Sequence, residues 1–301
     1  MSQLELVVQW QTHTHQYFAR NEGTKHFWQT LVVEEALRIP FLMHGLFGIS
    51  ALHLGLMQEL PQRAFWLDLA MAHKGEALRQ FVERLFDINV HNSKAMFGLA
   101  GLIVGYAFGA AFTGLSNADR PSLDGLIDIF YLCRGVQDIT NTASSFLQQH
   151  YDFEHVFSME SLTVALPSAA EASLHNLDAL NASLLEKQPS HDLSSYAKSI
   201  RALKKLAGQT YSKPLSMTLA GGFPITSPVS YIENLKNREP LSLVVLSHYC
   251  AFLHLSRESW FLQSWGSCVL REVNWLLEPD WRRYIEWPIR EVFGNDGISP
   301  S

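Results

Sequence analysis

Cysteine is scarce in this chain: 3 in 301 residues, at Cys133, Cys250 and Cys268. The three form no metal-ligand spacing and cannot all pair. That excludes a cysteine-rich metal module and a disulfide framework, and it points to a reduced, intracellular compartment. Positive charge is also short, with 23 Lys plus Arg against 29 Asp plus Glu and a net charge of -6. Neutralising nucleic-acid phosphates needs a basic footprint, so this segment is expected to make no direct nucleic-acid contact. The most basic run, Lys198 to Lys213 with Arg201, Lys204 and Lys205, reads as the solvated face of a helix. Strand signals are few, and runs such as Leu31-Val32-Val33 sit inside helical periodicity. There is no phosphate-binding glycine loop, no G-x-G-x-x-G after a strand, no G-x-S-x-G elbow, and no His-Glu-x-x-His. A catalytic zinc and a bound nucleotide are therefore not expected, and the expectation is no metal and no cofactor. Glu5 interrupts the N-terminal apolar residues, which argues against a signal peptide.

What is present is apolar. Hydrophobic residues make up 47% of the chain and charged residues 17%, the balance of an ordered protein with a large buried core. Helical patterning dominates. Leu4, Val7, Val8, Trp10, Tyr17 and Phe18 mark a first helix closed by Asn21-Glu22-Gly23, and Thr24 is placed to cap a second. That helix must end before Pro40, which suits the first turn of the next. Pro61 separates this third helix from a fourth, Arg63 to about Phe86. Asp119-Arg120-Pro121-Ser122 is a break before an apolar helix from Leu123 to about Val136. Amphipathic stretches around Ala169–Leu185 and Leu193–Leu206 give two more helices, parted by Gln188-Pro189-Ser190. Pro214 to Pro228, with Gly221-Gly222, reads as an irregular connector. The expected architecture is all-α: one compact domain over residues 1–301, of about ten helices around a buried glycine-rich one.

That central helix begins at His91-Asn92-Ser93. Its core, Ala95 to Leu115, carries no charge and repeats glycine at Gly101, Gly105 and Gly109. Length and spacing also fit a transmembrane helix packed on a neighbour. The rest of the chain is amphipathic, so the expectation is a core helix and no membrane span.

Few polar groups lie on apolar helices, and these are the candidate ligand contacts. Gly101 and Gly105 leave space beside Tyr106, whose hydroxyl needs a partner and which reads either as a ligand contact or as a core tyrosine. Arg134 follows an apolar run and is costly to bury unpaired. It reads either as one half of an ion pair or as a donor to a ligand. His248 and Tyr249 lie inside an apolar helix, about 100° apart around its axis. They read either as ligand contacts or as core groups bonded to neighbouring helices. His44, His53 and His73 also fall on apolar helices and read as packing residues.

Two blocks carry a resemblance. The first runs from Pro40-Phe41-Leu42-Met43-His44 through Ser50-Ala51-Leu52-His53-Leu54 to His73-Lys74-Gly75-Glu76-Ala77-Leu78. The second is Pro240 to Pro288, with Ser247-His248-Tyr249, Asp280-Trp281 and Glu286-Trp287-Pro288. Phe130-Tyr131-Leu132-Cys133-Arg134-Gly135-Val136 lies between them. In this order they resemble the C-terminal regulatory domain of fungal zinc-cluster transcription factors, the sterol-sensing regulators above all. The resemblance implies an all-helical, dimerising module that holds a lipid-like molecule in an apolar pocket and couples its occupancy to transcription. It implies a hydrophobic small molecule and a second copy of the chain as partners, and a nuclear location for a regulator. No six-cysteine cluster, basic linker or heptad run precedes the resembling blocks. Two expectations follow: a piece of a longer regulator, or a stand-alone domain that serves as a cyclase or pericyclase of fungal specialised metabolism on the same scaffold. Asp124, Asp128, Asp138, Asp152 and Glu154 form no Asp-Asp-x-x-Asp cluster. Such an enzyme would act without metal, by holding a reactive conformation.

Overall fold

The computed structural model describes residues 2–19, 21–114, 120–147, 165–212 and 217–294. Asp119, Asp152, Glu154 and Pro214, named above, lie outside the described residues. Among those described, all regular structure is helical, with no strand. The fold class is all-α, as the periodicity implies.

In chain order the α-helices are α1 Ser2–Thr12, α2 Glu22–His26, α3 Val32–Ala36, α4 Pro40–Met57, α5 Gln62–Val82, α6 Ser93–Ala110 and α7 Leu123–Leu147. They continue as α8 Ser168–Lys187, α9 Leu193–Ser212, α10 Met217–Thr226, α11 Val229–Lys236, α12 Pro240–Leu255, α13 Trp265–Leu276, α14 Pro279–Arg282 and α15 Glu286–Phe293. Contacts group them into two units. The first holds α1–α6 and α7 from Leu132 onward. The second holds α7 up to Tyr131, α8, α9, α10 from Leu219, and α11–α15.

In the first unit, α4 is the hub and packs on α1, α5 and α6. Pro40 occupies its first turn and Ile39 is extended, because a proline ring disfavours helix in the residue before it. Gly48 lets α4 and α5 approach closely: a Cβ there would lie 3.2 Å from the Lys74 backbone nitrogen. Helix α6 packs by the same device on an N-terminal aromatic cluster. A Cβ at Gly101 would meet the Trp28 ring at 2.8 Å, and one at Gly105 would meet Phe18 at 2.8 Å. Trp10 joins the cluster, its indole N–H donating to the Trp28 carbonyl at 3.0 Å. Both α4 and α6 are long and apolar enough to cross a membrane, yet 67% of each is buried inside the protein. Their apolar surface is consumed by packing, as in a core helix.

The N-terminal boundaries differ from expectation in one detail. Asn21, not Thr24, is the cap of α2. Its side chain accepts from the Thr24 N–H at 2.9 Å, and Thr24 accepts from the Asn21 N–H at 3.0 Å. The reciprocal pair is a capping box with threonine in the third position.

In the second unit, α12 is the center. Leu241 through Leu253 is buried without a break, the mark of a helix covered on all sides. Gly266 brings α13 against it, since a Cβ there would stand 2.3 Å from the Cys250 carbonyl oxygen. Within the segment read as an irregular connector, Met217–Thr226 is in fact helix α10, with Pro224 inside it. Proline removes one helical donor. Burial of Ala220 and Phe223, and a side-chain donor described below, outweigh that local loss. Helix α7 runs past the expected Val136 to Leu147. Gly135 is exposed with open space around its Cα, and one exposed glycine costs only about 1 kcal/mol against alanine.

Candidate functional site

A half-open cavity of about 280 Å³ lies among α4, α5 and α6 in the first unit, with Leu132 of α7 at one side. Its origin is a set of small residues. Gly45 and Gly48 of α4, Ala77 of α5, and Ala107 and Ala110 of α6 line it, so no long side chain fills the space between the helix backbones. Leu99, Leu102 and Ile103 supply most of the remaining apolar wall. Leu99 leans over Gly45, its Cδ1 2.3 Å from where a Cβ would be. This is the composition of a small-molecule site, mostly apolar with a few placed polar groups.

The polar groups of the lining are Lys74 and Tyr106. The Lys74 ammonium stands 5.2 Å from the Tyr106 ring centroid, within cation–π range. Among the described residues Lys74 has no carboxylate partner. The cavity thus presents one cation beside one aromatic face, in otherwise greasy surroundings.

Two histidine arrangements flank this region of the unit. His44 of α4 and His73 of α5 meet Nδ1 to Nδ1 at 2.8 Å. One ring must donate and the other accept, so a second proton breaks the bond. Burial, and then His44, push the His73 pKa down. Farther along α4, His53 Nδ1 accepts from the Thr14 hydroxyl at 2.8 Å and from the Gln9 amide at 3.2 Å. Burial pushes its pKa down to about 4, with a smaller contribution from His13.

Of the six residues singled out by sequence, Tyr106 lines the cavity. Gly101 and Gly105 instead face Trp28 and Phe18, and neither lines it. Arg134 is half-buried on α7, two residues beyond the lining Leu132. His248 and Tyr249 belong to the second unit. There His248 Nδ1 donates to the Val244 carbonyl at 2.9 Å, and Nε2 accepts from the Ser173 hydroxyl at 2.8 Å. Burial pushes this imidazole down to about 4, and both ring nitrogens are occupied as a neutral tautomer. The Tyr249 hydroxyl donates to the Ala220 carbonyl at 2.5 Å. Both groups thus bond to neighbouring helices.

Sequence reasoning missed Lys74, Gly45 and Gly48 as cavity residues. A signal exists in each case: two glycines three apart on one apolar helix, and a lysine next to a glycine at Lys74-Gly75. Burial pushes the Cys133 thiol up to about 12 and the Cys250 thiol higher still, so neither is a thiolate nucleophile. Among the described residues no group of three or more His, Cys, Asp or Glu side chains converges as a metal site.

No curated protein matches this chain. A family model does match: residues 7–155 fit the fungal specific transcription factor domain. The matched segment contains the second half of α1 and all of α2 through α7, and with them every residue that lines the cavity. Over residues 7–155 the chain is similar to the fungal specific transcription factor domain, and that match supports a regulatory role.

Proposed function

We propose that the chain is a ligand-responsive regulatory domain of a fungal transcription factor. In this reading it binds a hydrophobic small molecule, such as a sterol, terpenoid or polyketide-like compound, in the α4–α5–α6 cavity and relays occupancy to transcription. The observation that carries the reading is the cavity itself, apolar, half-open and wholly inside the segment matched by the family. Its 280 Å³ lies just below the range of about 300–1,000 Å³ usual for ligand sites. Nuclear location and self-association as a homodimer belong to the same proposal, and sedimentation at several concentrations tests the second.

The test is equilibrium binding of a panel of sterols, terpenoids and aromatic polyketides to the wild-type chain and to Ala107→Trp. The substitution places an indole in the cavity mouth, where Ala107 is half-exposed. Circular dichroism first establishes that the variant is helical. Binding by wild type, lost in Ala107→Trp, with the compound recovered unchanged, supports the regulator. Recovery of a converted compound supports the cyclase or pericyclase instead. Binding that ignores Ala107→Trp removes the cavity from the proposal.

A further inference from the structure

We infer that the compound taken by the α4–α5–α6 cavity is an anionic amphiphile: a carboxylic acid on a compact apolar body, with its carboxylate on Lys74. The inference rests on the reading of the cavity as a ligand site and names the chemistry of its occupant. Three observations carry it. Among the described residues the lining side chains are apolar but for Lys74 and Tyr106, which stand together, so the polar side-chain contacts open to a ligand lie at one end. Among the described residues the Lys74 ammonium is the one charged group in that lining, and no carboxylate pairs with it. The Tyr106 ring lies 5.2 Å from the ammonium and holds it at the cavity wall, so the charge is positioned before a ligand arrives.

The physical argument is one of complementarity. An apolar ligand with a neutral head gains burial in this cavity but leaves the ammonium of the half-buried Lys74 with less water around it. A carboxylate turns that loss into a charge-assisted hydrogen bond, roughly twice as strong as a neutral one. The cavity volume of 280 Å³ suits a medium-length acyl chain or a small ring system beside that head.

Decanoate and decanol share a chain and differ in the head group, so they isolate the charge. Binding of each is measured by calorimetry at pH 7, below micellar concentrations, to wild type, Lys74→Met, Lys74→Arg and Ala107→Trp. The expected result is decanoate tighter than decanol by about tenfold in wild type, the difference expected of one charge-assisted contact. That preference disappears in Lys74→Met, whose side chain keeps the apolar stem, and survives in Lys74→Arg. Ala107→Trp weakens both ligands. Equal affinities in wild type, or a preference untouched by Lys74→Met, overturn the anionic head while leaving the cavity reading intact if Ala107→Trp still blocks. Failure of both ligands to bind also overturns the inference; the cavity reading is then decided by the sterol and terpenoid panel. Decanoate binding that Ala107→Trp does not affect overturns both.

Discussion

The Tyr249 hydroxyl donates to the Ala220 carbonyl at 2.5 Å, the acceptor that would bond residue 224 in an unbroken helix, where Pro224 has no N–H to offer. A tyrosine of α12 thus replaces a donor that α10 lacks. Both partners are fully buried, so the carbonyl has no recourse to water. Removing the hydroxyl in Tyr249→Phe should cost about 1–3 kcal/mol, the penalty of an unsatisfied buried acceptor. The second half of the prediction is conditional. Pro224→Ala restores an N–H to the helix and should recover part of the loss in the Tyr249→Phe background. Urea unfolding of the two single variants and the double variant measures the coupling. Strictly additive effects would mean that the hydroxyl does not compensate for the proline.

Two buried histidines set a pH dependence. His248 and His53 are held at about 4, both chiefly by burial, against an ordinary 6.5. In the folded state they stay neutral where the unfolded chain takes up protons, so unfolding is favoured as pH falls. Stability is intact above about pH 6.5 and is lost progressively toward pH 4, on the order of 3 kcal/mol per imidazole. Denaturation midpoints across that window check this. His248→Gln should flatten the slope while lowering stability at pH 7, because Ser173 and Val244 lose their partner. An unchanged slope contradicts the assignment.

Glycines at helix crossings divide by what surrounds them. Gly266→Ala drives a methyl into the Cys250 carbonyl and the His254 backbone nitrogen, at 2.3 and 2.8 Å. It should force α12 and α13 apart and cost at least about 1–3 kcal/mol. Gly75, inside α5, has nothing within 4 Å and is exposed. Gly75→Ala should stabilise by about 0.4–1 kcal/mol through the unfolded chain alone. Thermal melts of both variants test the contrast.

Gly105→Leu is the natural substitution for probing a pocket beside the glycine-bearing helix. Here its side chain would run into Phe18, 2.8 Å from the Cβ position, and not into the cavity. It should destabilise the first unit by about 1–3 kcal/mol through overpacking and leave ligand selectivity alone. Ala107→Trp should do the reverse. Melting temperature and ligand affinity, measured on both variants, separate the two effects.

Much of the fold is legible along the chain because its punctuation is local. Pro40 and Pro240 each begin a helix at the first turn, and Gln188-Pro189-Ser190 separates α8 from α9. Helix α10 was not legible, because Gly221, Gly222 and Pro224 all argue for a break. What overrides them is a hydroxyl supplied from α12. The pair His248-Tyr249 shows how far geometry alone reaches. Adjacent residues on a helix point about 100° apart, and they do find different neighbours, Ser173 on α8 and Ala220 on α10. The cavity was the least legible feature. Glycine spacing on α6 signals close packing without saying which side chain fills each gap, and Trp28 and Phe18 fill two of them. The space that remains is set by Gly45, Ala77 and Ala107 together, residues about thirty apart in sequence that only tertiary packing brings to one wall.

The most direct test of the ligand-site reading is a methyl spectrum of the isoleucine-labelled chain, titrated with decanoate. Ile103 lines the cavity, whereas Ile200, Ile232 and Ile285 are buried in the second unit. The account predicts that the Ile103 methyl shifts first and saturates, with Lys74→Met weakening the titration. Saturable shifts confined to Ile200, Ile232 or Ile285, with Ile103 unmoved, would place the ligand elsewhere and contradict it.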